Sequence, residues 1–367
     1  MVGETIGNFR IVSLLGKGGM GEVWLAENTN TGARVAIKLL LTTISADTHH
    51  VQRLFNEAIA VSRIPHAGIV RISDSGFHEG QAYLVMELLE GESLYNRVER
   101  VGPLPLAQVC EIGIQIAGVL EATHAAGVTH RDLKPDNIFL VPDASFASGE
   151  RVKVLDFGLA KLQGNPSMTT STMTGMGTPL YMSPEQWRSS ANVDGRADLY
   201  SLGCVIFEMA CGRPPFEAAS FAEACAKHLA EIPPLASDVV TSIPESLDRL
   251  LARMLIKNPA LRPALVDVRT ALDAIRNGRA IALPRILTTS DVGAASSAIM
   301  KPAGARSSRL VVGLFGLGAL AIAGGVYAVM RTPADATPLA EPAPDPAPPS
   351  RDGSAGPDSV FVSPGAV

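Results

Sequence analysis

A glycine cluster and four short polar strings hold the residues able to do chemistry. In LLGKGGMGEVWL (Leu14–Leu25), Gly16, Gly18 and Gly21 match G-x-G-x-x-G. Without side chains, the backbone N–H groups there can close over phosphate oxygens. The spacing alone is ambiguous, because more than one nucleotide-binding architecture uses it and glycine-rich turns produce it by chance. The residues that follow discriminate. A P-loop needs Lys and then Ser or Thr directly after its last glycine, and here Glu22 and Val23 follow. A dinucleotide fingerprint needs a helix to open within the glycine turn. Instead EVWLAEN continues with strand-like alternation, TNTG reads as a turn, and ARVAIKLL reads as a second strand. The loop therefore joins two strands.

The other strings appear further along the chain. VAIK ends at Lys38, HRDLKPDN spans His130–Asn137, DFG spans Asp156–Gly158, and SPE spans Ser183–Glu185. The elements that must position them fall in residues 9 to about 278, where strand and helix patterns alternate with short turns. DTHHVQRLFNEAIAVSRI reads as a helix carrying Glu57, and YLVMELLEG reads as a strand running into a connection.

These strings, in this order, resemble the eukaryotic-like protein kinases, most closely the bacterial membrane-anchored serine/threonine kinases. The resemblance covers roughly residues 9–278 and implies an α+β, bilobal fold: a small β-rich N-lobe (1–89) and a larger helical C-lobe (90–278). It also implies roles for individual residues. Gly16, Gly18, Gly21 and Val23 would cover ATP, and Lys38 would contact its α- and β-phosphates. Glu57 would pair with Lys38; Glu87 is the competing acid, but it lies on the strand entering the interlobe hinge. Met86 would be the gatekeeper, with the backbone of Glu87 and Leu89 at the adenine edge. Leu15, Val23, Ala36, Phe139 and Leu155 would surround the adenine ring. Asp132 would be the catalytic base, Lys134 would steady the γ-phosphate, and Asn137 and Asp156 would hold Mg2+, with Mn2+ as an alternative. His130 would be a structural support.

The same resemblance bears on the acceptor and on regulation. Lys134 followed by Pro135 is the serine/threonine-kinase form of the catalytic loop. Thr178, before Pro179, would sit near Asp132 and Lys134. Glu185 would form a buried ion pair with Arg262, and Asp198 would brace the backbone of the catalytic loop. Arg131 would meet a phosphate on the loop between Asp156 and Glu185. That loop holds Thr169, Thr170, Ser171, Thr172 and Thr174, and Thr172 and Thr174 are the favoured sites. Autophosphorylation in trans would call for a homodimer.

Composition sets the outer limits. The chain has 367 residues, of which 47% are hydrophobic, enough for a sizeable core. Its net charge of −5 gives no sign of nucleic-acid binding. Cys110, Cys204, Cys211 and Cys225 are widely spaced, form no CxxC, and read as reduced thiols. The N-terminus has no signal-peptide pattern. From Arg279 the chain turns Ala-, Ser- and Gly-rich, a flexible juxtamembrane linker over 279–309. Residues 310–330 are 21 uncharged residues, long enough as a helix to span the roughly 30 Å bilayer core. The 331–367 tail has nine prolines and reads as disordered and extracytoplasmic. Basic residues before the span and acidic ones after it place the N-terminal side in the cytoplasm, making a single-pass protein of the inner membrane. Small residues such as Ala321 and Gly325 could pair two such helices.

The sequence thus predicts an active membrane-anchored kinase acting on protein substrates. Two alternatives are a pseudokinase scaffold, which would lack Lys38, Asp132, Asn137 or Asp156, and a small-molecule phosphotransferase, which would lack the long activation segment. Every one of these features is present.

Overall fold

The computed structural model describes residues 1–46, 48–157, 179–188 and 193–280. Gly158, the threonines expected to carry phosphate, Thr178, the linker from residue 281 on, the apolar 310–330 span and the tail lie outside them.

The N-terminal part is a six-stranded antiparallel sheet of β1 (Thr5–Ile6), β2 (Phe9–Gly18), β3 (Gly21–Asn28), β4 (Arg34–Leu40), β5 (Ile72–His78) and β6 (Gln81–Glu87). The spatial order is β1-β2-β3-β4-β6-β5. Helices α1 (Thr42–Ser45) and α2 (Thr48–Ser62) cross between β4 and β5. The period of two in β4 decides where its lysine goes. Ile37 and Leu39 join Phe9, Ile11, Trp24 and Val85 in the core on one face. Leu40 joins Val51, Phe55 and Leu84 on the other, beneath α2. Lys38 shares that second face, opposite Leu84 in register.

The C-terminal part is mostly helical: α3 (Leu94–Val101), α4 (Leu106–Ala125), α5 (Pro184–Arg188), α6 (Arg196–Cys211), α7 (Phe221–Ala230), α8 (Ala236–Val239), α9 (Glu245–Met254) and α10 (Leu265–Arg276). A small second sheet of β7 (Glu92–Ser93), β8 (Ile138–Pro142) and β9 (Glu150–Val154) sits at its edge. Fifteen of the sixteen residues of α6 are buried, so it forms the axis of this core. By length and hydropathy α4 could cross a membrane, but 56% of its most apolar window is buried inside the protein, and it packs on α6 and α10.

One ion pair ties the helices together beneath the site. The Arg262 side chain is fully buried and holds Glu185 through two contacts, of 2.6 and 2.9 Å. Its remaining N–H groups go to the carbonyls of Ile256, Arg196 and Lys257. Every donor of the guanidinium is used, so the burial cost of the charge is offset. The Tyr200 ring lies 5.0 Å from the guanidinium carbon and adds a cation–π contact. Removing one partner leaves the other charge buried and alone. Arg262→Ala is expected to lower unfolding stability by about 3–5 kcal/mol in urea titration, and Arg262→Lys to recover only part of it.

Candidate active site

A cleft of about 980 Å³ runs between the six-stranded sheet and the helical part. Its roof is Leu15, Gly16, Gly18 and Gly21 of the β2–β3 hairpin, with Val23 from β3 and Ala36 and Lys38 from β4. Met86 and Glu87 at the end of β6, then Leu89, line the back. Phe139 of β8 and Leu155 form the floor, and Arg131, Asp132, Lys134, Asn137 and Asp156 line its outer part. Val70, a lining residue the sequence reading missed, enters just before β5. It follows Ile69 in an apolar pair that looks like any strand start, and nothing local marks it.

The three glycines of the roof answer to different demands. Gly18 and Gly21 are register partners across the tip of the hairpin. Gly21 has φ +147°, and a Cβ there would lie 1.8 Å from the Leu39 carbonyl oxygen. A Cβ on Gly16 or Gly18 would meet nothing within 4 Å. Gly21 is therefore required by the sheet itself, whereas Gly16 and Gly18 leave space over the cleft.

Lys38 reaches across the cleft, with its Nζ 2.6 Å from Asp156 Oδ2. The partner expected for it was Glu57. That residue is half-buried on α2 and is not among the residues lining the cleft. The Asp156 carboxylate faces the Lys38 ammonium because its backbone is left-handed, at φ 60°.

The catalytic-loop string is held mainly by hydrogen bonds to its backbone. Asp198 of α6, with a side chain only 1% exposed, accepts the N–H groups of His130 and Arg131, both at 2.8 Å, and His124 Nε2 at 2.8 Å. This holds Arg131 at φ 68°, a conformation costing on the order of 1–3 kcal/mol. His130 is fully buried. Its Nδ1 accepts the Asp132 N–H at 3.2 Å, so its ring proton sits on Nε2, which donates to the Leu155 carbonyl at 2.8 Å. One imidazole thus links the backbone of Asp132 to the residue before Asp156. Its role as a support is what the sequence reading expected.

At the mouth, Asp132 Oδ2 receives Lys134 Nζ at 2.9 Å and Asn137 Nδ2 at 3.2 Å. Asn137 also donates to the Asp132 carbonyl at 2.8 Å, which commits its amide nitrogen and leaves the amide oxygen as the ligand atom it can offer. Burial opposes charge on Lys134, yet Asp132, Asp136 and Asp156 outweigh it and hold the ammonium above its ordinary pKa. Lys134 is therefore a fixed cation beside the carboxylate.

The model of the protein kinase domain family matches residues 9–272. The chain belongs to that family. Serine/threonine-protein kinase Pkn1 of Myxococcus xanthus is 40% identical over 283 residues, covering 77% of this chain and 39% of Pkn1. PknD of Mycobacterium tuberculosis is 39% identical over 262 residues, covering 71% and 38%. The chain thus spans about two-fifths of these curated relatives. The crystal structure of the M. tuberculosis PknI kinase domain superposes with a TM-score of 0.59 at 26% identity, over 76% of this chain and 99% of that one. The bilobal kinase fold is the fold of this protein.

In this kinase domain, the segment that returns to the cleft at Pro179 is fastened from below. Ser201 Oγ donates to the Tyr181 carbonyl at 2.7 Å, and Tyr181 Oη donates to Glu208 Oε2 at 2.6 Å. Ser183, which replaces the usual alanine before Pro-Glu, is fully buried and donates to Gln186 Oε1 at 2.9 Å. Burial raises the Glu208 carboxyl from its ordinary 4.5 to about 7, and the Tyr181 hydroxyl offsets only part of that.

The folded protein therefore holds this proton more tightly than the unfolded chain does. The stability from Glu208 is full below about pH 4.5 and declines as pH rises to about 7, a loss of about 3 kcal/mol. Thermal melts of Glu208→Gln are expected to show a smaller fall in Tm than the parent between pH 5 and pH 7.5. In the roof, Gly21→Ala should lower Tm by several degrees, whereas Gly18→Val should leave Tm within about 2 degrees and weaken nucleotide binding. Differential scanning fluorimetry with and without ATP separates the two effects.

Proposed function

We propose that this protein is an ATP-dependent serine/threonine kinase, transferring the γ-phosphoryl group of ATP to Ser or Thr hydroxyls of proteins. The observation that carries this reading is the convergence of Lys38, Asp132, Lys134, Asn137 and Asp156 on one cleft beneath a glycine hairpin. None of the residues a pseudokinase would lose is replaced.

In the reaction, the substrate hydroxyl oxygen bonds to the γ-phosphorus as the bond from that phosphorus to the β–γ bridging oxygen breaks. Asp132 takes the hydroxyl proton, and Lys134 beside it balances charge on the moving phosphoryl group. Lys38 holds the α- and β-phosphates, with Glu57 on α2 as the acid that steadies it. The adenine lies between Val23 and Ala36 above and Phe139 and Leu155 below, its edge against the backbone of Glu87 and Leu89. The amide oxygen of Asn137 and the carboxylate of Asp156 are hard oxygen donors that fit Mg2+, or Mn2+ as an alternative. Once bound there, the ion would neutralise charge on the phosphate oxygens.

Regulation and placement complete the reading. The Arg131 guanidinium bonds the Val193 carbonyl through Nη2 at 3.2 Å, while its buried Nε has no partner among the described residues. A phosphate on Thr170, Thr172 or Thr174 would satisfy it and order the activation loop. Thr178 would contact Asp132 and Lys134. The uncharged 310–330 span supports anchoring in the cytoplasmic membrane, with the kinase inside, the tail outside, and transient homodimers allowing autophosphorylation in trans.

Transfer of labelled phosphate from ATP to a generic protein substrate tests the assignment. Asp132→Asn is expected to reduce labelling by about a hundred-fold or more. Equal labelling by the variant and the parent would defeat the proposal.

A further inference from the structure

The hinge strand is joined to the floor of the cleft by an ion pair that the phosphoryl-transfer mechanism does not use. Lys153 Nζ lies 2.6 Å from Glu87 Oε1, with side chains only 13% and 30% exposed. Glu87 ends β6 of the six-stranded sheet, whereas Lys153 is in β9 of the small sheet beyond the connection. The same Glu87 oxygen accepts the Arg71 N–H at 2.8 Å, and the Glu87 N–H donates to the Arg71 carbonyl at 3.0 Å. The carboxylate is thus gripped on both sides, by its own sheet and by the strand beneath the cleft.

Lys153 occupies a telling position in β9. Its register partner on β8 is Phe139, the floor residue. It lies three residues before Asp156, which meets Lys38, and next to Val154, whose N–H donates to the Gly68 carbonyl. A single contact therefore relates three parts of the nucleotide pocket: the back edge at Glu87, the floor at Phe139, and the strand that delivers Asp156. A charge-assisted bond at this distance and burial is stronger than an exposed pair.

We infer that Glu87 and Lys153 form an interlobe tie that sets the spacing between the adenine edge and the floor, making them positioning residues for nucleotide affinity. The inference rests on the kinase reading above. Breaking the tie loosens the pocket in the ground state and in the transition state alike. It should therefore weaken ATP binding with little effect on the chemical step. Lys153 is not among the residues lining the cleft, and its ammonium is engaged by Glu87.

The test is calorimetric titration of the full chain with ATP and Mg2+, together with steady-state kinetics and thermal melts. Lys153→Met is expected to raise the ATP Kd and KM about three- to ten-fold while kcat stays within two-fold. Lys153→Arg, which keeps the charge and reach, should recover most of the affinity. Glu87→Gln should weaken binding similarly, and the double variant should be no weaker than the worse single variant. The inference is overturned if Lys153→Met binds ATP as the parent does. It is equally overturned if Lys153→Met binds more tightly, if kcat falls with KM unchanged, or if the two losses simply add. Failure of the parent itself to bind ATP would instead remove the kinase reading, and this inference with it.

Discussion

The carboxylate of Asp198 is the point on which the active site depends. It is almost wholly buried, a costly place for a charge unless its oxygens are met by donors. Three donors meet it: two consecutive backbone N–H groups of the catalytic loop and the imidazole of His124. Two adjacent N–H groups can converge on one carboxylate only if the chain bends sharply between them, which matches the left-handed Arg131. The bend sends Asp132 toward the cleft while His130 stays buried beneath it. Because α6 is buried along fifteen of its sixteen residues, Asp198 cannot move without dragging the axis of the helical core. The rigidity of the core is thereby transmitted to a loop that would otherwise be free to relax.

From there the organisation passes outward through main-chain contacts. His130 couples the Asp132 N–H to the Leu155 carbonyl, and the Leu155 N–H returns to the Asn137 carbonyl at 2.8 Å. The two chain segments that supply carboxylates are thus laced together before any side chain faces the cleft. The roof is built by a separate rule. Strand alternation places Lys38 on the face opposite Ile37 and Leu39, and the hairpin is closed by the one glycine whose backbone no other residue could adopt.

How much of this was legible in the sequence depended on whether a residue's neighbours in the chain reveal its setting. Lys38 was readable because the VAIK string marks it through the family resemblance, and the period of two then accounts for its orientation in the strand. The HRDLKPDN string was readable because its chemistry is concentrated in eight residues. The Glu185–Arg262 pair was named correctly only through family resemblance, since its two ends lie 77 positions apart and no local pattern joins them. Val70 was missed because it looks like ordinary core beside Ile69. The Lys38 contact to Asp156 was missed for a related reason: the left-handed backbone that aims Asp156 is a consequence of tertiary packing. The motif also treated Gly16, Gly18 and Gly21 as one device, whereas the sheet requires only Gly21 and leaves the other two free to serve the cleft.

The charge balance of the cleft carries the reading one step further. Its three lysines are already engaged, Lys38 with Asp156 at 2.6 Å, Lys134 with Asp132 at 2.9 Å and Lys17 with Glu22 at 2.8 Å. Asp136, Glu87 and Glu92 add three further carboxylates to the lining. Five acids against three ammonium groups, with Arg131 drawn toward the Val193 carbonyl, form a poor receptor for a polyphosphate alone, since each phosphate oxygen would compete with a carboxylate for the same cation. On the proposed reading, a divalent ion held by Asp156 and Asn137 resolves the conflict. It would release Lys38 toward the α- and β-phosphates and turn an acidic lining from a barrier into a ligand set. On that reading, the carboxylates that look mismatched to an anionic substrate would be the reason for nucleotide and metal to bind together.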